Sequence, residues 1–327
     1  MRMTKEEFFD RLQERIQDEF PDYELRRQEV AKSNSVKTCL VVRDPSCEVA
    51  PSLRIDDYWS DYEKAENYEV EEERIFSGVS DCVRKAFTDS VELNVARKAM
   101  DAMADWRNTI RCSLVIKDGN DRFLSDKPYK EFIDMAKIYY IAVDDLVEGH
   151  MSRITITNDH MESMGCTLDE LDAAAMANTL KESPAEVESM SKVLSGLLGI
   201  PEDQFTAMYG EVDLPMYVVS NQSKCDGAAV IMYKDVLNQI CDALGSNDFY
   251  LLPSSRHECI CVPAGIGKDV DALRRMVHEV NATQVPPEDL LSENVYYYER
   301  GQELQICGSG PVIEEDEDLE EDMVPVL

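Results

Sequence analysis

Apolar positions along this chain recur at two spacings, and the alternation between them outlines the elements. Phe8, Phe9, Leu12, Ile16 and Phe20 follow the tetrad Thr4-Lys5-Glu6-Glu7 at helical spacing, and Pro21 comes next. In such a tetrad the Thr hydroxyl and the Glu carboxylate each satisfy an orphan backbone amide. The pattern therefore predicts an amphipathic helix that Pro21 ends. Runs at strand spacing follow over Tyr23–Ala31, Val36–Arg43 and Ala50–Ile55, which predicts a small antiparallel meander. Asp56-Asp57 is expected to cap a helix carrying Tyr58, Trp59 and Tyr62. Two further helices present Ile75, Phe76, Val79, Val83 and Phe87, then Val91, Val95, Ala99 and Met103. Aromatic stripes at this spacing are core rather than ligand platforms.

The run Arg111–Lys117 reads as a strand closed by the turn Asp118-Gly119-Asn120, and a short helix is expected past Pro128. Ile138–Val143 is apolar on both faces, as a central strand is, and Arg153–Thr157 alternates and should pair beside it. Three capped helices are predicted next. One opens at Thr167-Leu168-Asp169-Glu170, a second at Ser183-Pro184-Ala185-Glu186, and a third follows Gly199-Ile200-Pro201. The last third repeats strand, strand, helix. Pro215–Ser220 and Ala228–Tyr233 flank a turn at Asp226-Gly227, a helix carries Leu237 and Ile240, and strands at Phe249–Leu252 and Glu258–Val262 precede a helix with Leu273 and Val277. A hairpin of Val295–Tyr298 and Glu303–Ile306 closes it. Hairpins outnumber parallel crossovers, so the fold class is α+β. A helix-rich N-terminal part with a small antiparallel sheet precedes a C-terminal part of repeated strand-strand-helix units. The expected division is residues 1–118, residues 119–313 with a helical segment near 167–209, and an acidic disordered tail over 314–327.

Charge narrows the function classes. The 327 residues carry 66 acidic and 33 basic side chains, a net charge of −33. Direct nucleic-acid binding and anionic membrane surfaces are disfavoured, because phosphate contacts need Lys and Arg. No run is long and apolar enough to span a bilayer, and the start has no apolar core of a signal peptide. The ten cysteines are scattered without a Cys-x-x-Cys pair. They read as reduced core thiols, which places the protein in the cytoplasm.

Chemistry-bearing motifs mostly fail. Gly265-Ile266-Gly267-Lys268-Asp269 lacks the first glycine and the hydroxyl residue of a phosphate loop, and Asp269 suits a helix cap better. Asp144, Asp145, Glu148, His150, Asp159 and His160 would split between the two ends of a hairpin, so no metal site is expected. No cofactor is expected either. Ser254-Ser255-Arg256-His257-Glu258 carries the most chemistry. In an extended chain Ser255 and His257 point the same way, within reach of a proton relay, although no nucleophile elbow is present.

Ala50-Pro51-Ser52-Leu53 with Tyr58 and Tyr62, then Leu214–Asn221, Gly227-Ala228-Ala229, Leu252–Glu258, Val280–Val285 and Leu291–Tyr298, stand out as segments. Together they resemble an uncharacterised domain-of-unknown-function family of gut Firmicutes, distantly similar to the YtpQ-type proteins. The resemblance implies a bacterial cytoplasmic protein of two-part α and β architecture, and it carries no catalytic residues. Within these segments Tyr217, Asn221, Ser254, Ser255, His257, Glu258, Asn281 and Gln284 are polar residues at strand ends and loops, where scaffolds place binding groups. They form the candidate binding patch. The leading expectation is a non-enzymatic protein that binds a protein partner. The rivals are a hydrolase or small-ligand domain using the Ser254–Glu258 patch, and an acidic mimic of DNA.

Overall fold

A computed structural model describes residues 2–45, 50–87, 89–147, 150–209, 216–253, 255–266 and 269–307. Side chains are described for these except 89–96, 144–147, 150–152 and 209. The expected acidic tail and Ser254, Gly267 and Lys268 lie outside the described residues, as do the side chains of Asp144, Asp145, Glu148 and His150.

The first unit follows its sequence signals closely. Helix α1 (Lys5–Glu19) starts at the predicted capping box, with Thr4 Oγ1 accepting from the Glu7 amide and the Glu7 carboxylate accepting from the Thr4 amide. Strands β1 (Glu24–Lys32), β2 (Ser35–Arg43) and β3 (Ser52–Arg54) form an antiparallel sheet in sequential order. Helices α2 (Ile55–Glu63) and α3 (Tyr68–Ala86) complete the unit around Phe8, whose ring centroid lies 5.0 Å from that of Tyr62 and 5.3 Å from that of Phe76. Asp56 does not cap α2. Arg54 holds the N-cap position without a side-chain bond, and the Asp56 carboxylate accepts from the Thr38 amide and pairs with Lys5. The β2 backbone thus claims the carboxylate that local spacing assigned to the helix end.

Helices α4 (Asp89–Ala104) and α5 (Trp106–Thr109) lead into the middle unit of β4 (Ile110–Ile116), α6 (Asp121–Leu124), β5 (Tyr129–Phe132), β6 (Met135–Val147), β7 (His150–Thr155), α7 (Asn158–Met164) and α8 (Leu168–Glu182). Strand β6 is central, as its two apolar faces predict. It pairs with β4 on one side and with β5 and β7 in succession on the other, all antiparallel. The segment after Pro128 is β5, not a helix. A two-residue turn at Ile133-Asp134, with Ile133 at φ 61°, folds it back on β6 and outweighs its local preference. One face of this sheet packs Cys112, Tyr139, Ile141 and Ile156 against Leu171 and Ala175 of α8.

The last unit comprises β8 (Ala185–Ser189), α9 (Met190–Leu198), α10 (Glu202–Tyr209), β9 (Tyr217–Asn221), α11 (Lys234–Leu244), β10 (Asp248–Leu252), β11 (Cys259–Pro263), α12 (Val270–Thr283), β12 (Tyr296–Glu299) and β13 (Gln305–Ile306). Its sheet runs β13-β12-β10-β11-β9-β8, with every neighbouring pair antiparallel. Two predicted elements change here. Ser183-Pro184 does not start a helix. Ala185–Ser189 pairs with β9 instead, its Glu186 and Glu188 both reach Lys224, and α9 begins at Met190 with Ser189 as cap. Ala228–Tyr233 is not a strand. Gly227–Met232 is a 3₁₀ turn whose Ala228 and Ala229 are fully packed inside, so it interrupts the strand-strand-helix rhythm.

Leu114 and Met135 of the middle sheet share a core with Val219, Ile231, Phe249 and Tyr296 of the last unit. The Asp118–Asn120 turn lies between β4 and its partner β6. Two polar clasps join the units. Asn34, in the β1–β2 turn at φ 58°, donates to the carbonyls of Pro287 and Leu290 at 2.9 and 2.7 Å, while its amide donates to Asn120. The Asp134 carboxylate accepts from Ser292, Asn294 and Tyr296. Among the described residues no helix is long and apolar enough to cross a membrane.

Candidate functional site

Three chain segments meet where β9 ends. Asn221 closes the loop that follows, its Nδ2 donating to the Cys225 carbonyl at 2.9 Å and its Oδ1 accepting from Ser223 Oγ at 3.0 Å. The loop delivers Asp226 in the left-handed region at φ 52°, which Asp tolerates better than most side chains. Gly227 follows in a position only glycine fits. A Cβ there would collide with Ser220 Oγ and the His257 carbonyl oxygen, and would sit 2.8 Å from the Asn221 nitrogen. Ser220 Oγ donates to that same carbonyl at 2.7 Å.

Asp226 is 3% exposed and carries the charge at the centre. Its Oδ1 accepts from Arg256 Nε at 2.6 Å, and its Oδ2 pairs with Arg153 from β7. A carboxylate this deep is retained only with cationic, hydrogen-bonded partners, and two guanidinium groups provide them. The neighbouring Cys225 thiol is pushed up by burial and by the Asp226 charge.

His257 is held at both ring nitrogens. The backbone amide of Asp226 donates to Nδ1 at 3.2 Å, so Nδ1 is the acceptor and the neutral ring carries its proton on Nε2. That nitrogen donates to Asp289 Oδ1 at 3.0 Å. Asp289 is held in turn, because its carbonyl accepts the Arg256 amide at 2.8 Å. The Ser255 hydroxyl does not face the imidazole. Residues 255–257 bend instead of extending, and Ser255 Oγ accepts from the His257 backbone amide at 3.1 Å. Among the described residues no serine is therefore set up as a nucleophile against this ring.

The structure brings Asn221, Ser255 and His257 of the candidate patch into one network and distributes the rest. Tyr217 is half-buried at the start of β9, opposite Cys261, and Glu258 is exposed. Asn281 ties α12 to the Ser292 carbonyl at 3.0 Å, and Gln284 sits exposed at the end of α12. Three residues that the sequence reading did not single out prove central, Arg153, Asp226 and Asp289, together with Arg256 from within the Ser254–Glu258 run. Asp226-Gly227 carried a turn signal, whereas nothing in the alternating pattern of β7 marked Arg153. His160 has a local role, its Nδ1 accepting the Thr157 amide at the start of α7, and Asp269 caps α12 as predicted.

Two surface clefts lie elsewhere. One of about 670 Å³ is lined by Arg2, Asp10, Arg11, Glu14, Glu69 and Glu73, and one of about 680 Å³ by Asp248, Tyr250, Val270 and Tyr297. Among the described residues no group of three or more His, Cys, Asp or Glu side chains could hold a metal ion. The nine cysteines among the described residues are unbridged, and Cys112, Cys259 and Cys261 are core.

Among the described residues these features define an α+β protein of three antiparallel sheets, with the buried Asp226 carboxylate held between Arg256 and the exposed Arg153 where the middle and last sheets meet. The chain belongs to DUF5688, a family of unknown function, whose family model matches residues 5–300. No curated protein and no solved structure matches it.

Proposed function

We propose that this protein is a cytoplasmic, non-enzymatic binding protein that docks a second protein through the α9–α10 face. The observation that carries the reading is three large apolar side chains left in solvent on adjoining helices: Leu197 at 79%, Leu198 at 58% and Met208 at 68% exposure. Large apolar residues gathered on one face mark interaction surfaces, while singly scattered ones do not. Glu202 and Asp203 place negative charge in the first turn of α10, the helix that carries Met208. The complementary partner therefore presents apolar side chains rimmed by Lys and Arg, an arrangement that also suits a chain of net charge −33. The commitment of both His257 nitrogens to neighbouring groups supports a binding role over a catalytic one. Buried, unbridged thiols support a reducing compartment.

The test immobilises the full chain and a Leu197→Ser/Leu198→Ser variant, and challenges both with native extract at low and high salt. The expected result is one protein captured by the parent, lost in the variant and released by salt, with a basic-rimmed apolar surface identified in it. Identical captures by both chains, or none at either salt, would overturn the proposal.

A further inference from the structure

We propose that the cleft on the last sheet lined by Asp248, Tyr250 and Tyr297 binds a small molecule that joins an ammonium group to an apolar body. This goes beyond the docking face and does not depend on it. Strand alternation makes the floor. Asp248 and Tyr250 sit two residues apart on β10 and share one face, and the antiparallel register puts Glu299 opposite Asp248 and Tyr297 opposite Tyr250. Helix α12 covers the far end of that face, where Leu273 and Val277 pack with Leu252 and Val262. Its first residue, Val270, lines the cleft, which opens to about 680 Å³, with Gln305, opposite Tyr297 on β13, at its edge. Small-molecule sites span about 300–1,000 Å³ and combine apolar walls with a few placed polar groups.

The polar group placed here is a carboxylate. Asp248 is the one charged residue among those described that line the cleft, and no described Lys, Arg or His pairs with it. Ser246 Oγ donates to Oδ1 and the Tyr297 hydroxyl to Oδ2, each at 3.0 Å. These bonds fix the carboxylate and leave about two of its roughly four acceptor sites open. Burial and the Asp248 charge push the Tyr297 hydroxyl up to about 12, so it stays a donor. Cations on neighbouring elements are committed elsewhere, Arg274 to Asp271 and the Cys307 carbonyl, and Arg300 to Asp242. The Tyr250 and Tyr297 rings, 5.6 Å apart between centroids and inclined at 54°, stand beside the carboxylate. Ring faces attract cations as well as apolar groups, so one end of the ligand is an ammonium and the other hydrocarbon. An anion would instead meet the charges of Asp248 and Glu299.

Isothermal titration calorimetry of the full chain at low ionic strength uses phenethylamine as the probe and phenylpropionate, its anionic counterpart, as the control. Saturable binding of phenethylamine alone is expected, weakened about tenfold by Asp248→Asn and about threefold by Tyr250→Leu. Asp248→Asn keeps an acceptor for Ser246 and Tyr297, and circular dichroism checks that each variant is folded. Should Asp248→Asn unfold, Gln305→Lys at the exposed edge sets a fixed cation across from Tyr297 and weakens phenethylamine about fivefold. No binding of phenethylamine, equal binding of the two probes, or affinity unchanged in either folded variant, Asp248→Asn or Gln305→Lys, would overturn the proposal.

Discussion

Replacing Gly227 with alanine adds one methyl group to a place with no room for it. The new Cβ would meet the Ser220 hydroxyl, the His257 carbonyl oxygen and the Asn221 nitrogen. Only the first of these can rotate away, and doing so abandons its 2.7 Å bond to the His257 carbonyl. The other two are backbone of β9 and of the bend at His257, held by the Asp226 and Asp289 bonds. Losing the hydrogen bond costs about 1 kcal/mol, and forcing the backbones apart costs about 1–3 kcal/mol. The sum, about 2–4 kcal/mol, converts to a fall in thermal midpoint of about 4–8 °C at about 2 °C per kcal/mol in a chain this long. Gly78→Ala is the control, because Gly78 lies inside α3 with open space around its Cβ position. There the substitution removes glycine's conformational freedom from a helix and raises the midpoint by about 1–2 °C. Far-UV circular dichroism melts of the parent, the two variants and Ser220→Ala/Gly227→Ala measure all of this. The double variant recovers only part of the loss, because both backbone contacts remain. A Gly227→Ala midpoint within about a degree of the parent, or the same sign for both glycines, would refute the close-approach argument.

Two further outcomes follow from the core. Burial pushes the Asp172 carboxyl up, but hydrogen bonds from Lys137, Lys130 and Tyr139 outweigh it and hold its pKa below the usual range. A depressed carboxyl stabilises the fold above the unfolded carboxyl pKa of about 3.9, and the contribution is lost as pH falls through the folded value. Asp172→Asn should therefore melt lower than the parent at neutral pH and close the gap in acid; an equal gap at both pH values would count against the network. Burial also pushes the Cys112 thiol to about 11 and Cys261 well above its ordinary value, whereas Cys82 is exposed on α3. A thiol reagent followed by peptide mapping should label Cys82 in the folded protein and reach Cys112, Cys259 and Cys261 only after denaturation. Equal rates at Cys82 and Cys261 would contradict the packing of β11.

How much of this could be read in advance depended on the range over which each signal acts. The capping boxes at Thr4 and Thr167, the αL stop at Gly199 and the Asp269 cap are local, and each lies where its residues predict. The same holds for β6, whose apolar faces announce burial on both sides, and for the α+β class. Local signals misled where a distant segment competed for the same groups. The cap expected at Ser183 lost to pairing between Ala185–Ser189 and β9, and the strand expected at Ala228 lost to Gly227 being wedged beneath Ser220. The candidate patch divided in the same way. Asn221, Ser255 and His257 converged because their segments close on one another, while Asn281 and Gln284 went to α12.

The amino-acid order by itself determined helix starts and stops and strand alternation, because each depends on residues within a few positions of one another, and composition alone set the acidic charge. Only the tertiary structure decided the tautomer of His257, the pairing of Arg153 and Arg256 on one buried carboxylate, and the exposure of Leu197, Leu198 and Met208. Those depend on which faces meet. Arg153 and Asp226 lie far apart along the chain, and no periodicity links them; their contact exists because β7 and the loop after β9 pack together and a buried charge holds only where its partners arrive with it.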